Sequence, residues 1–430
     1  MKKLLALIVC ALLAFTLASC VHIHTEVIDE AVAPTCTESG LTEGKHCSEC
    51  GEVLVKQEII EAKGHIWVNG KCENCDFTNS LGLEFTSNGD GTCYVSGIGT
   101  CPDTDVVIPE TSPKGDRVIA IGNEAFYLCK SLTSIVIPAG VISIGDNAFY
   151  YCKSLTSVTF AEGSQLTSIG SYAFSYCESL TSIEIPASVT SIGNYAFENC
   201  GSLTSIEIPA SVTSIGYRAF FYCKSLTSIT FAEGSQLISI GDGAFSECTS
   251  LTSIEIPARV TSIGDNAFYY CKSLTSVTFA EGSQLTSIGG SAFYYCESLT
   301  SIEIPASVTS IGDWAFYRCK SLTSIEIPVS VTSIGKGTFS GCKSLTSVIF
   351  AEDSQLTSIG EGAFHSCTSL TSIEIPAGVT SINNFAFYNC SKLTDVYYTG
   401  TEAQWAKISI GSENSYLTAA TIHYNYIPEE

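Results

Sequence analysis

The sequence predicts a mainly β solenoid, and three observations predict it. Cysteines at 129, 152, 177, 200, 223, 248, 271, 296, 319, 342, 367 and 390 recur at intervals of 23 or 25 residues. Between them one phrase returns, close to Ser-Leu-Thr-Ser-Ile-Glu-Ile-Pro-Ala-Ser-Val-Thr-Ser-Ile-Gly-x-x-Ala-Phe-x-x-Cys. Each unit offers about eight apolar core positions, too few to bury a core alone, so neighbouring units must stack to close one.

Within a unit, Leu180, Ile183 and Ile185 are spaced to face inward, with Thr181, Ser182 and Glu184 facing out. Val189 and Ile192 form a second, shorter apolar pair. Ala196, Phe197 and Cys200 then have the spacing of one tight helical turn with a buried edge. Stacking aligns like with like, and a phenylalanine column should run unbroken from Phe126 to Phe387. A period of 20–29 residues with this spacing is that of a leucine-rich-repeat ladder. It predicts about twelve coils with short helical turns, capped at both ends.

Proline after the first strand (Pro138, Pro186, Pro209, Pro257, Pro305, Pro328, Pro376) ends it, because proline has no ladder donor. The 25-residue units carry Phe-Ala-Glu-Gly-Ser-Gln there instead, for example Phe160 to Gln165, which predicts a loop on one edge. Gly122, Gly145, Gly170 and their successors are expected where the chain leaves the second strand with φ > 0. Asn383 takes that place in the last unit.

The Ile-Pro, Ile-Gly and Ala-Phe-x-x-Cys elements, recurring at fixed offsets over about 118–393, resemble the BspA-like leucine-rich repeats of bacterial surface proteins. That resemblance implies attachment at the cell surface and binding of host proteins.

The flanks divide the rest of the chain. Residues 1–19 read as a secretory signal peptide: Lys2 and Lys3, an apolar stretch from Leu4 to Leu17, then Leu17-Ala18-Ser19-Cys20. This end resembles a bacterial lipobox, which implies lipid on Cys20 and a tether at one end. Residues 20–80 form a Cys/His-rich module, 81–117 an N-terminal cap, 118–393 the repeats and 394–430 a C-terminal cap. In the last of these, Glu402 to Lys407 reads as a short helix whose Trp405 covers the final coil.

The module carries two Cys-x-x-Cys knuckles, Cys47/Cys50 and Cys72/Cys75, with Cys36 and His65 as substitute ligands. Two tight turns presenting four thiolates suit one structural zinc. Disulfides are the competing reading outside the cytoplasm, and redox-active thiols a third. The twelve repeat cysteines read as small core residues, because stacked Cβ vectors run parallel instead of converging. Cys93 and Cys101 flank 94–100, read as a hairpin across which they could pair.

With 43 acidic and 20 basic residues the formal charge is −23, which makes nucleic acid a poor partner. Glu184, Glu207, Glu255, Glu303, Glu326 and Glu374 share one outward strand position, read as solvation against edge-to-edge aggregation. No catalytic constellation appears: His365 and His423 are the only histidines beyond the module, and neither a phosphate loop nor a nucleophile elbow is present. The chain reads as non-enzymatic, with no catalytic cofactor. The variable positions just before each cysteine are the candidate binding face. They hold Tyr150, Tyr151, Tyr269, Tyr270, Tyr294, Tyr295 and Tyr317, and tyrosine combines apolar area with a hydroxyl at low entropic cost. The expected work is adhesion to an extracellular or host protein or glycoprotein, with an envelope scaffold or a metal-binding or redox lipoprotein acting through 21–80 as alternatives.

Overall fold

A computed structural model describes residues 25–33, 40–60, 67–68, 71–72 and 79–427. The chain divides into two compact units, 1–78 and 79–430. In the first, Glu26–Asp29, Gly44–Cys47 and Val53–Val55 form an antiparallel sheet, and Gly40–Leu41 pairs with Ile59–Ile60. Trp67–Val68 pairs with Lys71–Cys72.

The second unit is a β solenoid whose coils have three sides. On the first side lie strands such as Ser205–Ile208, paired in parallel with Ser228–Phe231 so that Ser205 faces Ser228 and Ile206 faces Ile229. The alternation buries Ile206 and Ile208 and turns Glu207 outward. These strands stop where Pro209, Pro257, Pro328 and Pro376 follow. The second side is a ladder of Ser-Ile pairs, Ser191–Ile192 on Ser214–Ile215 for example. Ten parallel strands of one sheet, Thr92–Gly97 to Ser310–Ile311, and the four of its continuation, Ser333–Ile334 to Ser409–Ile410, give about fourteen turns. That exceeds the twelve read from the cysteines, because the flanking segments supply one coil at each end.

The third side departs from expectation. Ala-Phe-x-x-Cys is no helical turn: two residues in every coil, five and one before the cysteine, adopt left-handed φ, as at Tyr172 (56°) and Tyr176 (60°). The backbone accounting explains why. Tyr172, Phe174 and Tyr176 donate their N–H groups to Asn194, Ala196 and Glu198 of the next coil at 2.7–2.8 Å. The intervening N–H groups of Ala173, Ser175 and Cys177 close turns within the coil. A right-handed helix would satisfy the turn but leave nothing to bind the next coil; alternating hands satisfy both.

The recurrent glycine is also corrected. Gly122, Gly145, Gly170 and Gly193 are not among the left-handed glycines. Their requirement is space: a Cβ on Gly193 would lie 2.5 Å from Gly170 C and 2.6 Å from Ser171 N. The coils leave no room for a Cβ at this corner, and the Gly193 N–H to Ile169 carbonyl bond of 2.9 Å holds them there.

The core follows the sequence closely. Phe126 to Phe387 form one column with ring centroids 5.0–5.6 Å apart and planes within 2–19°. Repeat cysteines from Cys152 to Cys390 are buried. Each thiol donates to the phenylalanine carbonyl one coil back, Cys152 to Phe126 at 3.1 Å and Cys390 to Phe364 at 3.1 Å. Cysteine is thus a small apolar residue that also covers a carbonyl. Threonine does the same outside: Thr156 Oγ1 donates to Thr133 O at 2.9 Å and Thr227 Oγ1 to Thr204 O at 3.0 Å.

The ends are closed differently. At the start, Glu84–Ser87 and Thr92–Gly97 form the hairpin, turning at 88–91. Residues 94–97 therefore lie in a strand, where a hairpin loop was expected. Cys93 and Cys101 are both thiols, and Cys93 Sγ donates to Asp116 O at 3.5 Å. Ser80 covers the first-side edge, its N–H on Val107 O (2.9 Å) and its hydroxyl accepting from Val107 N (3.1 Å). At the other end, helix Glu402–Trp405 starts on a capping box between Thr401 and Gln404. Trp405 packs edge-on against Tyr398 at 5.2 Å. A further helix, Ser415–Ala419, was not expected and buries Leu417. Strand Thr421–Tyr424 ends the first side.

Candidate binding edge and the family

The third side of the solenoid displays the candidate tyrosines, and the coil repeat explains their placement. Buried Phe and Cys lock each turn, so the two residues between them always project along the same edge. Tyr150, Tyr151, Tyr269, Tyr270, Tyr294, Tyr295 and Tyr317 all lie there and all are half-buried. They are brought together in two clusters. Tyr127 stacks on Tyr150 at 5.2 Å, and Tyr151 meets Tyr176 at 5.3 Å. Further along, Tyr269, Tyr294 and Tyr317 stack at 4.9 and 4.5 Å, with Tyr270 on Tyr295 at 4.5 Å beside them. The rings thus pack on the neighbouring coil and remain partly exposed.

Cations complete the edge. Lys153 lies 4.4 Å from the Tyr151 ring, Lys224 4.0 Å from Tyr222 and Lys272 5.1 Å from Tyr270. Arg318 covers both Tyr295 and Tyr317 at 5.1 and 5.4 Å and donates to the Tyr295 hydroxyl. Burial, then the neighbouring Tyr317 and Tyr269, push the Tyr294 phenol up to about 12. Burial likewise raises Tyr150, Tyr176 and Tyr269. These phenols are therefore neutral at physiological pH, each able to donate and accept.

Sequence reasoning missed further aromatics at the left-handed position five before the cysteine, where Tyr172, Tyr195, Trp314 and Phe385 stand. Tyr172 and Tyr195 stack there at 4.6 Å, and Trp314 meets Tyr317 edge-on at 5.3 Å. The signal was available only in part, as large residues at that offset in some units. A helical reading of the turn hid it by assigning that position to another face. On the first side, the insertion Phe231–Gln236 forms the expected loop and borders a cavity of about 630 Å³ that Glu255 and Arg259 also line. The outward glutamates are interleaved with other residues in register: Glu207 faces Thr230, Glu255 faces Thr278, and Glu326 faces Ile349.

In the first unit, Cys47 is buried and Cys50 exposed at a tight turn. The Gly51 N–H bonds to Cys47 O at 2.9 Å, with Gly51 at φ 71°. Cys72 ends a strand. Cys20, Cys36, His65 and Cys75 lie outside the described residues, as does the side chain of Cys72. No group of three or more metal-ligating side chains occurs among the described residues. No helix among them is long and apolar enough to cross a membrane.

A stack of near-identical coils with a shared core and a repeated edge defines a repeat scaffold of the leucine-rich class. Residues 119–235, 190–321 and 286–409 match the BspA type leucine rich repeat region, and the chain belongs to that family. Its fold is similar to a leucine rich cell surface protein from Faecalibacterium prausnitzii A2-165, at 34% identity over 77% of this chain and 97% of that one, with a TM-score of 0.50. It is also similar to a leucine-rich repeat protein from Bacteroides ovatus, at 29% identity over 81% of this chain and 100% of that one, with a TM-score of 0.59. No curated protein matches the chain.

Proposed function

We propose that this chain is a non-catalytic surface adhesin that binds a host protein or glycoprotein through the tyrosine-rich edge of its solenoid. The observation that carries the reading is the edge itself: stacked, half-buried tyrosines backed by lysines and Arg318 in a chain of net charge −23. Rigid aromatic rings lose little entropy on contact, and Arg and Tyr are favoured at binding hot spots. Several identical coils in a row allow polyvalent contact with a repetitive surface. Export is supported by the leader-like start at Lys2 and Lys3, and by the surface location that the Faecalibacterium relative's name states. On this reading lipid on Cys20 anchors the chain, and Cys47, Cys50, Cys72 and Cys75 hold one structural zinc in a spacer module.

The test is binding of the purified chain to immobilised matrix proteins, mucin and whole host cells. A variant with alanine at Tyr150, Tyr151, Tyr269 and Tyr270 should lose most binding while its thermal transition stays cooperative. Full retention by that variant would move recognition to another face. No binding by either form would favour a structural role in the envelope, which the near-identity of units such as 180–200 and 203–223 also suits. Mass spectrometry of the mature N-terminus should find diacylglycerol on Cys20, and metal analysis should find one zinc per chain that Cys47→Ser abolishes.

A further inference from the structure

The aromatic edge has a gap. In the unit ending at Cys342, as in those ending at Cys200 and Cys248, the two positions before the cysteine carry no aromatic ring; here they are Ser340 and Gly341, both buried. Tyr317 stands on one side, and His365, stacked on Tyr388 at 5.2 Å and 16°, stands on the other. Between them opens a cavity of about 390 Å³, within the range of small-ligand pockets. Its rim carries Arg318, Lys320 and Lys343.

The charge at this gap is unusual for so acidic a chain. Lys320 is held by Glu297 at 2.9 Å, but Arg318 and Lys343 form no ion pair among the described residues. Arg318 is exposed and leans over the gap, its Cγ 2.9 Å from where a Gly341 Cβ would sit. Hydroxyls and an amide line the remaining wall: Asn389 donates to Ser366 Oγ at 3.1 Å, with Thr368 alongside.

We propose that this gap is a subsite for a carboxylate-bearing sugar at the end of a glycan chain. The inference rests on the surface-binding reading and names the ligand chemistry of one point on the same edge. A sugar ring fits where one aromatic rung is missing, because its C–H faces pack against Tyr317 and His365. Its hydroxyls meet Ser340, Ser366, Thr368 and Asn389, and its carboxylate meets Arg318 and Lys343. An acidic peptide would share only the last of these contacts. At physiological ionic strength the screening length is about 8 Å, so the local cations act at the gap while the distant acids are damped.

Titration of the full chain with 3′-sialyllactose, lactose and a poly-glutamate peptide, followed by ligand-observed NMR, tests this. Saturable binding of sialyllactose, at least tenfold weaker for lactose, is expected. Ser340→Tyr, which inserts an aromatic rung, and Lys343→Gln should each weaken it at least tenfold, whereas Lys114→Gln, an exposed cation in the N-terminal cap, should leave it unchanged. Equal binding of lactose would overturn the role of the cations. Binding of the peptide without the sugar would overturn the ligand class. No sialyllactose binding by a chain that still attaches to host cells through Tyr150 and Tyr269 would overturn the subsite and leave adhesion standing.

Discussion

Replacing Gly193 by alanine should damage the stack far more than a surface Gly→Ala change normally does. The new Cβ would sit 2.5 Å from Gly170 C, 2.6 Å from Ser171 N and 2.7 Å from Gly170 O. Carbon atoms prefer separations of about 3.5–4.0 Å, so the coils must part locally by roughly 1 Å. All three obstacles are backbone, and no rotamer change relieves them. Parting also stretches the 2.9 Å bond from Gly193 N to Ile169 O. Overpacking costs about 1–3 kcal/mol and a lost hydrogen bond about 1, which puts the expected loss near 3 kcal/mol. Two controls share the chemistry without the contact. Gly201 has nothing within 4 Å and no left-handed φ, so Gly201→Ala should fall within about 0.5 kcal/mol of wild type. Gly163 also has open space but φ +74°, so Gly163→Ala should cost about 1–2 kcal/mol of backbone strain alone. Urea unfolding of the three variants, followed by tyrosine and tryptophan fluorescence, ranks them. A Gly193→Ala loss no larger than that of Gly201→Ala would refute close coil approach as the reason for the glycine column. Asn383 shows that a side chain is accepted in this column near the C-terminal end, so the penalty should be largest in mid-stack.

Burial pushes the thiols of Cys223, Cys342 and Cys390 up to about 12, so native protein at pH 8 should leave Cys152 to Cys390 unlabelled by maleimide while the partly exposed Cys101 reacts. Peptide mapping reads this, and rapid labelling of Cys223 without unfolding would contradict the buried ladder. Phe268→Ala removes one ring from a column packed at 5.6 and 5.3 Å on its two sides and should cost about 3–5 kcal/mol, measured by urea unfolding. Burial raises the carboxyl of Glu198, which accepts from Ser175 at 2.9 Å. An acid whose folded pKa is raised contributes stability that is present below its unfolded pKa and lost as pH rises through the folded one. Glu198→Gln should therefore unfold at higher temperature than wild type at pH 7, and calorimetry should show that advantage shrinking toward pH 4.

Register, burial and the identity of every core column were legible because stacking converts a sequence period directly into contact. Leu180 must lie on Leu203 if the units superpose at all, and the 0% exposure of both follows. The turn was not legible for a physical reason. Ala196, Phe197 and Cys200 have helical spacing, but spacing constrains only which side chains are buried, and both a helical turn and a pair of left-handed turns bury those three. The choice between them is made by the backbone donors, which must reach the next coil as well as their own. The same competition misassigned Gly193, whose repeated glycine is equally consistent with positive φ and with a missing Cβ. Cys47 and Cys50 were read as a knuckle from their spacing and flank a tight turn, whereas ligation depends on partners that spacing does not place.

Uniformity itself separates structural from functional positions in such a chain. A residue that repeats in every coil, such as the buried phenylalanine or the thiol that covers its carbonyl, is explained by what the stack demands of each turn. The left-handed positions demand the opposite of what is found: Tyr172, Tyr195 and Trp314 occupy φ values of 55–60° that glycine or asparagine would hold with less strain. Each costs on the order of 1 kcal/mol in backbone strain, which the fold does not require, since Gly243, Gly337 and Gly362 fill the same position in other coils. Stacking between neighbouring rings offsets part of that cost, at about 0.5–1.5 kcal/mol per aromatic pair. Trp314 leans over Gly337 and meets Tyr317 edge-on at 5.3 Å, so its ring packs on its own coil and on the next. Tyr172, Tyr195 and Trp314 are thus positions that the turn itself does not dictate, and they are where the proposed binding edge is best tested by substitution with glycine, which the same turn accepts at Gly243, Gly337 and Gly362.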